Sequence, residues 1–271
     1  MRAELVTVPG GDKPNEDTGL ASPDVVVVLD GLTSPATLGS GCVHGTPWYV
    51  RRLVAHLAAR AAVQEHGTLV DVLAEAIDAT ANEHSGCDLR HPGTPSAAVA
   101  LLRRTQAGLD YLALADCTVA IAHDGRFDAF TDLRVDDIEP EEHAAVLAAP
   151  VGSDERQAKL AAYVEVQRGY RNQPGGYWVA GAVPEAAEQA VTGSIPLHGA
   201  ASAALMSDGA SRYVDLFELG DWAAAFAVMT DGAAGLIAEV RANEDRDPLC
   251  VRWPRYKRSD DATVAYWEAV H

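Results

Sequence analysis

Residues 3–8 of the chain alternate apolar and polar side chains, the pattern of a half-buried strand. Residues 24–29 do not alternate. Their run Val25-Val26-Val27-Val28-Leu29 reads as a buried strand, and Asp30-Gly31 ends it. Residues 31–45, rich in Gly, Ser, Thr and Pro, read as loop. Thr46-Pro47 is a helix start, a capping residue followed by proline at the first helical position. The helix is predicted over residues 48–65, with Val50, Leu53, Val54 and Leu57 on one face and Gly67 as its stop. A second helix is predicted over residues 68–83, carrying Leu69, Val72, Leu73, Ala76 and Ile77 at helical spacing. A β-meander follows, with strands expected at 96–102, 109–115, 117–123 and 126–131, the last two joined by an Asp124-Gly125 hairpin. Residues 139–170 return to a helical period. A Gly/Pro-rich segment spans 171–178, and residues 185–198 lead to a strand at 203–206. Helical patterns then occupy 211–217 and 220–244, and a last strand covers 262–267. This order is not a βαβ repeat. It predicts antiparallel sheets with helices packed outside them, in one domain over residues 1–271.

Composition narrows the function classes. The chain has 271 residues, 48% of them hydrophobic, enough for a substantial core. Its formal net charge of −18 argues against nucleic-acid binding, which needs concentrated Lys and Arg. The nearest thing to a basic patch, Arg252, Arg255, Lys257 and Arg258, reads first as a solvated loop. The N-terminal stretch, broken by Glu4 and Pro9, does not read as a signal peptide. No apolar run reaches the ~18 residues of a membrane span. Four cysteines, Cys42, Cys87, Cys117 and Cys250, form no CxxC pair, which suits a cytoplasmic protein with free thiols. Cys42 and His44 with Cys87 and His91 can be drawn as a zinc site, but the spacing is unlike common structural ones and ordinary loop residues are the favoured reading.

Four acidic residues sit at the ends of β-like runs: Glu16 in Asn15-Glu16-Asp17, Asp30 before Gly31, Asp208 before Gly209, and Asp260 in Ser259-Asp260-Asp261. Each alone is an ordinary strand-ending turn. Together they can converge on one sheet edge, where they repel unless a hard cation lies between them. That points to Mg²⁺ or Mn²⁺, and to phosphate chemistry.

The same residues carry a resemblance. The chain resembles the metal-dependent protein phosphatases of type 2C, the PPM family, whose short motifs run in one fixed order. Asn15-Glu16-Asp17 resembles the family's N/M-E-D, and Val28-Leu29-Asp30-Gly31 its V-x-D-G. Residues 96–102 with Ala113-Leu114-Ala115-Asp116-Cys117-Thr118-Val119-Ala120 resemble the central pair of strands. Phe130-Thr131-Asp132 resembles L-T-x-D-H, Met206-Ser207-Asp208-Gly209 resembles A-S-D-G, and Asp260-Asp261-Ala262-Thr263-Val264 the closing D-N/D-I-T-V. The resemblance implies an α+β, four-layer αββα sandwich of two antiparallel sheets flanked by helices, with two ions at one end. By position Asp30 bridges both ions, Asp208 and Asp260 complete the first, and Glu16 with the Gly31 carbonyl serves the second. Asp17 hydrogen-bonds water at the ions, and Asp116 matches a ligand of a third, weaker ion in some members. The implied activity is hydrolysis of phosphoserine or phosphothreonine in proteins by a metal-activated water, with Mg²⁺ or Mn²⁺ as cofactor, in a monomer or weak dimer.

The chain also departs from the pattern. Many members place an arginine shortly before N/M-E-D to hold the substrate phosphate. Here the stretch is Gly11-Asp12-Lys13-Pro14, and Lys13 offers a point charge without the bidentate fork. The D-G-x-G-G motif becomes Asp30-Gly31-Leu32-Thr33-Ser34-Pro35, followed by a long loop to Pro47. His44 in that loop is a candidate general acid. Arg51 and Arg52 are candidates for the missing phosphate contact. Arg168, Arg171 and Asn172 lie where the family places a flap beside the site, with Arg171 the substrate-binding candidate. Asn82, His84 and His91 read as ordinary helix-end and loop residues, and the five tryptophans as core. Two further readings stand beside the leading one: an inactive sensor or scaffold with the same fold, and a phosphatase of a small phosphorylated metabolite.

Overall fold

The computed structural model describes residues 1–32, 34–35, 37–63, 67–197 and 199–269. Thr33 of the long loop and the expected helix end near residue 65 lie outside them. The chain runs β1 (Arg2–Val8), β2 (Thr18–Ala21), β3 (Val25–Gly31), α1 (Thr46–Ala61), α2 (Leu69–Ala81), β4 (Ala97–Arg104), β5 (Gly108–Leu114), β6 (Thr118–His123) and β7 (Arg126–Phe130). It continues with α3 (Pro140–Ala148), α4 (Asp154–Arg168), β8 (Val191–Pro196), β9 (Ala201–Met206), α5 (Asp208–Asp215), α6 (Trp222–Thr230), α7 (Ala233–Arg246) and β10 (Ala262–Glu268).

The strands form two five-stranded antiparallel sheets, ordered β1-β10-β9-β6-β7 and β2-β3-β4-β5-β8. The valine run explains the layering. Side chains alternate across a strand, so Val25, Val27 and Leu29 face α1 and α2, packing on Leu53, Leu57, Leu73 and Ile77. Val26 and Val28 face the other sheet and meet Val119, Ile121, Leu205 and Trp267. Both faces of β3 are dry, which is why the sequence shows a continuous apolar run there. On the far side, Ala204, Met206, Val264 and Tyr266 pack under Phe226, Leu236, Ile237 and Val240 of α6 and α7. The result is the expected α+β sandwich of two antiparallel sheets flanked by helices. Each fully buried Val or Leu contributes about 1.5–3 kcal/mol, so this frame can hold mutually repelling carboxylates at its edge. No helix among the described residues is long and apolar enough to cross a membrane.

The expectations missed several local features. β2 is four residues long with Gly19 inside it, too short for an alternation to register. Gly19 is close-packed: a Cβ there would lie 2.6 Å from the Val27 carbonyl. β8 is an edge strand with exposed alternate positions and a terminal proline, hence its loop-like sequence. The helical stretch 139–170 breaks at Pro150-Val151-Gly152, and 220–244 breaks at Gly232, whose φ of 144° only glycine adopts easily. The basic run is not simply a solvated loop. Arg252 and Arg258 are exposed, but Arg255 is buried against Asp247 at 2.9 Å, and Lys257 turns inward to Asp260. Carboxylates brought close by the fold pull these side chains in.

Candidate active site

Antiparallel pairing gathers the acidic residues at one end of the sandwich. Met206 pairs with Val264, so the end of β9 and the start of β10 lie side by side, and Asp208 and Asp260 with them. Val8 pairs with Ala262, bringing the loop of residues 9–17 to the same edge. Thr118 pairs with Met206, which sets the β5–β6 turn and Asp116 there too. That turn is tight: Ala115 has φ 59°. The second sheet supplies Asp30, the penultimate residue of β3. The backbone N–H of Asp208 donates to Asp30 Oδ2 at 3.4 Å, joining the two sheets across the site.

Two glycines permit this convergence. A Cβ on Gly31 would lie 2.6 Å from the Glu16 carbonyl and 2.5 Å from Thr46 Cγ2. A Cβ on Gly209 would lie 1.9 Å from the Asp261 carbonyl. Asp261 fastens the N-terminal loop by accepting from the Gly10 and Glu16 N–H groups at 2.8 and 2.7 Å. Asp208 lies in the first turn of α5, one residue after the N-cap Ser207, rather than in an open strand-end loop.

The electrostatics are those of crowded anions. The surrounding protein strips water from Asp30, and Asp17, Asp208, Asp116 and Asp260 add repulsion, so its carboxyl is held well above the usual range. Burial pushes Asp17 up to about 7 against hydrogen bonds from Ser207 and Thr263. Burial and then Asp208 push Asp116 up to about 7. Asp208 is raised by burial and by Asp260. Asp260 alone goes down: burial raises it, but Lys257 and Arg212 outweigh that.

The donor set fits a hard divalent cation: converging oxygen ligands, mostly carboxylate, that outnumber the positive charges beside them. One buried oxygen, Asp17 Oδ2, has no hydrogen-bond partner. A buried acceptor of that kind wants a donor such as water on a cation.

A pH dependence follows. Raised carboxyls mean that the folded state binds protons more tightly than the unfolded one, so stability falls as pH rises from about 4 to about 7 and above. His84, held low by burial and then by His44, works in the opposite sense below its ordinary 6.5. Without divalent cation, the melting temperature should therefore be higher at about pH 6.5 than at pH 8; with Mn²⁺ the order should invert, because the cation replaces the protons. Thermal melts across that range, with and without Mn²⁺, check it.

Sequence reading missed two cations at this edge. Arg212 Nη2 donates to Asp260 Oδ2 at 2.9 Å and to Asp208 Oδ2 at 3.3 Å, while its Nη1 meets buried Glu244 at 3.3 Å. Glu244 also takes Arg241 at 2.8 Å. Lys257 Nζ lies 2.5 Å from Asp260 Oδ1. The signal was available: Arg212 is one helical turn after Asp208, and Lys257 is three residues before Asp260.

The other candidates lie as follows. Glu16 and the Gly31 backbone join the acidic edge. Lys13 is exposed on the loop leading to it. Arg51 is exposed on α1, and Arg52 pairs with Glu83. Arg171 donates to the Thr94 carbonyl at 3.1 Å and to Tyr177 Oη at 3.3 Å. Buried Arg168 reaches Glu165 and Ser34 Oγ, both at 3.1 Å. The ring of His44 contacts Cys42, Cys87, Trp48 and His84. A cavity of about 390 Å³ beside residues 174–178, lined by Arg134, Asp137 and Trp178, holds none of the carboxylates assigned to the edge.

No protein-family model and no curated protein matches the sequence. Solved structures do match. The Mycobacterium tuberculosis serine/threonine phosphatase PstP/Ppp is 15% identical, with a TM-score of 0.59 over 100% of this chain and 99% of that one. The PPM Ser-Thr phosphatase MsPP from Mycobacterium smegmatis, in complex with cacodylate, is 17% identical, with a TM-score of 0.57 over 98% and 97%. The catalytic domain of PstP in complex with two manganese ions is 14% identical, with a TM-score of 0.56 over 99% and 98%. End to end, this chain has the fold of the PPM-type serine/threonine phosphatases.

Proposed function

We propose that the chain is a Mg²⁺- or Mn²⁺-dependent phosphatase acting on phosphoserine or phosphothreonine in proteins. One observation carries the reading: Asp17, Asp30, Asp116, Asp208 and Asp260, from both sheets, converge on one edge, where burial and mutual repulsion disfavour ionisation of the first four and Lys257 and Arg212 hold Asp260 charged. Solved phosphatases of the same fold, one with two manganese ions, support it.

Asp30, Asp208, Asp260, Glu16 and the Gly31 carbonyl are the groups that would hold the ions, with Asp116 available to a third. Ions held by these groups would supply a lowered water pKa and charge neutralisation at phosphoryl oxygens, the chemistry an in-line displacement needs. Asp17 presents its unpartnered Oδ2 to orient water by hydrogen bonding. Arg212, backed by Glu244, fixes the carboxylates of Asp208 and Asp260. Lys257, at the same edge, is a point-charge donor for a phosphoryl oxygen where the family's upstream arginine is missing.

The same two cations favour a second reading, an inactive scaffold, because they already neutralise Asp208 and Asp260. A substrate panel separates the readings: phosphopeptides, sugar phosphates and nucleotides, each with Mn²⁺ and with EDTA. The proposal predicts EDTA-sensitive release of phosphate, fastest from phosphopeptides. Preference for a metabolite would replace the substrate class, and no turnover on any phosphoester would leave the scaffold.

A further inference from the structure

Away from the acidic edge, the loop between β3 and α1 meets the segment that follows α2. Cys42 and His44 come from the first, His84 and Cys87 from the second. One ligand atom from each lies within 4.8 Å of the other three. The individual separations are tighter. Cys42 Sγ lies 3.5 Å from Cys87 Sγ, 3.4 Å from His84 Nδ1 and 3.7 Å from His44 Nδ1, and Cys87 Sγ lies 3.3 Å from His44 Nδ1. A tetrahedron with Zn–S near 2.3 Å and Zn–N near 2.0–2.1 Å has edges of about 3.3–3.8 Å. Four of the six edges already have that spacing, and the other two lie within 4.8 Å. The sulfurs are too far apart for a disulfide, which needs about 2.05 Å.

The surroundings support ligation. The His44 backbone N–H donates to Cys42 Sγ at 3.3 Å, and the Gly45 amide also reaches that sulfur, so the backbone orients the ligand atom. Trp48 holds both imidazoles: His44 stacks on it at 4.2 Å and His84 meets it edge-on at 4.6 Å. The two segments are registered independently, since the Asp88 N–H donates to the Gly41 carbonyl at 2.8 Å. A side chain on Gly41 would strike His91. His91 is therefore packed behind the loop, and its Nδ1 accepts from the Gly93 N–H. The histidine that joins the cysteines is His84, not the His91 drawn from sequence alone.

We infer that Cys42, His44, His84 and Cys87 form a structural zinc site, separate from the carboxylate edge. Two thiolates and two imidazoles in a tetrahedron select Zn²⁺, whereas Mg²⁺ and Mn²⁺ prefer oxygen. Four protein ligands leave no open position, so the ion is structural rather than catalytic. It staples the long loop and the start of α1 to the end of α2. That matters for the neighbouring edge, because α1 begins with Thr46, which abuts Gly31 beside Asp30. His44, ligated through Nδ1, is then not available for proton transfer.

The test is zinc content by elemental mass spectrometry, on untagged full-length protein expressed with added zinc and purified without chelator. About one zinc per chain is expected, retained after dialysis against Mn²⁺. Co²⁺ refolded into the protein should show thiolate charge-transfer absorption. His84→Ala and the Cys42→Ser/Cys87→Ser double variant should lose the zinc, and His91→Ala should keep it. Stripping zinc from the wild type should lower the melting temperature by about 5–10 °C. The wild-type stoichiometry needs no variant to fold. Wild-type protein that carries no zinc, a Cys42–Cys87 disulfide in unreduced protein, or zinc kept by His84→Ala and lost by His91→Ala would each overturn the assignment.

Discussion

Asp30→Asn should cut Mn²⁺-dependent phosphate release by about 10³-fold or more while leaving the protein folded and, without metal, more stable at pH 8. Asp30 is the one carboxylate of the second sheet that the Asp208 backbone amide reaches, and four other aspartates act on it. Asparagine keeps its shape and one acceptor oxygen but removes the charge that attracts a cation. Two carboxylates about 4 Å apart repel by about 4 kcal/mol at an effective dielectric near 20, so removing one relieves the metal-free fold. Opposite signs for activity and stability mark a residue kept for chemistry. Steady-state assays and thermal melts on the same preparation read both. A variant that loses activity together with stability would make Asp30 a structural residue.

Asp247→Ala should be the most damaging substitution away from the edge, costing about 3–5 kcal/mol and lowering the melting temperature by about 10 °C. Asp247 closes α7 and organises the segment leading to Lys257 and Asp260. Its Oδ1 accepts from the Val251 and Arg252 N–H groups at 2.9 and 3.2 Å, and its Oδ2 from Trp253 N–H at 3.1 Å and Arg255 Nη1 at 2.9 Å. Arg255 is 5% exposed and also donates to the Asp247 and Arg258 carbonyls. Alanine would leave a buried guanidinium without its counter-ion and three amides without their acceptor. Burial works against ionisation of Asp247, but the amides and Arg255 prevail and lower its pKa to about 2. A lowered carboxyl stabilises the fold above its ordinary 3.8 and loses that contribution as pH falls toward 2, so the full loss should appear at neutral pH. Asp247→Asn, which keeps an acceptor, should lose less. Denaturant melts compare the two, and equal losses would place the cost in the charge alone.

Much of the frame was legible because burial writes itself into sequence. The run from Val25 to Leu29 is apolar at every position because both faces of β3 are covered. The faces of α1 and α2 show as helical spacing because only one side of each is dry. What escaped was set by pairing across the chain. β2 and β8 are short or exposed, and their partners β3 and β5 define them more than their own residues do. The acidic edge was readable as an ordered set of motifs, since each aspartate lies at or beside a strand end or in a turn between strands. Its cations were not, because Arg212 and Lys257 take their meaning from Asp208 and Asp260 only once β9 and β10 lie side by side. The choice between His84 and His91 likewise depends on which ring turns toward Cys42, and the exit of α2 decides it.

The central proposal is that the carboxylate edge is a divalent-cation site with Asp30 at its centre. Calorimetric titration of Mn²⁺ into zinc-replete protein, wild type against Asp30→Asn, tests this most directly. Saturable Mn²⁺ binding to the wild type, abolished in Asp30→Asn, is the predicted result; no binding to the wild type, or the same isotherm for both proteins, would contradict it.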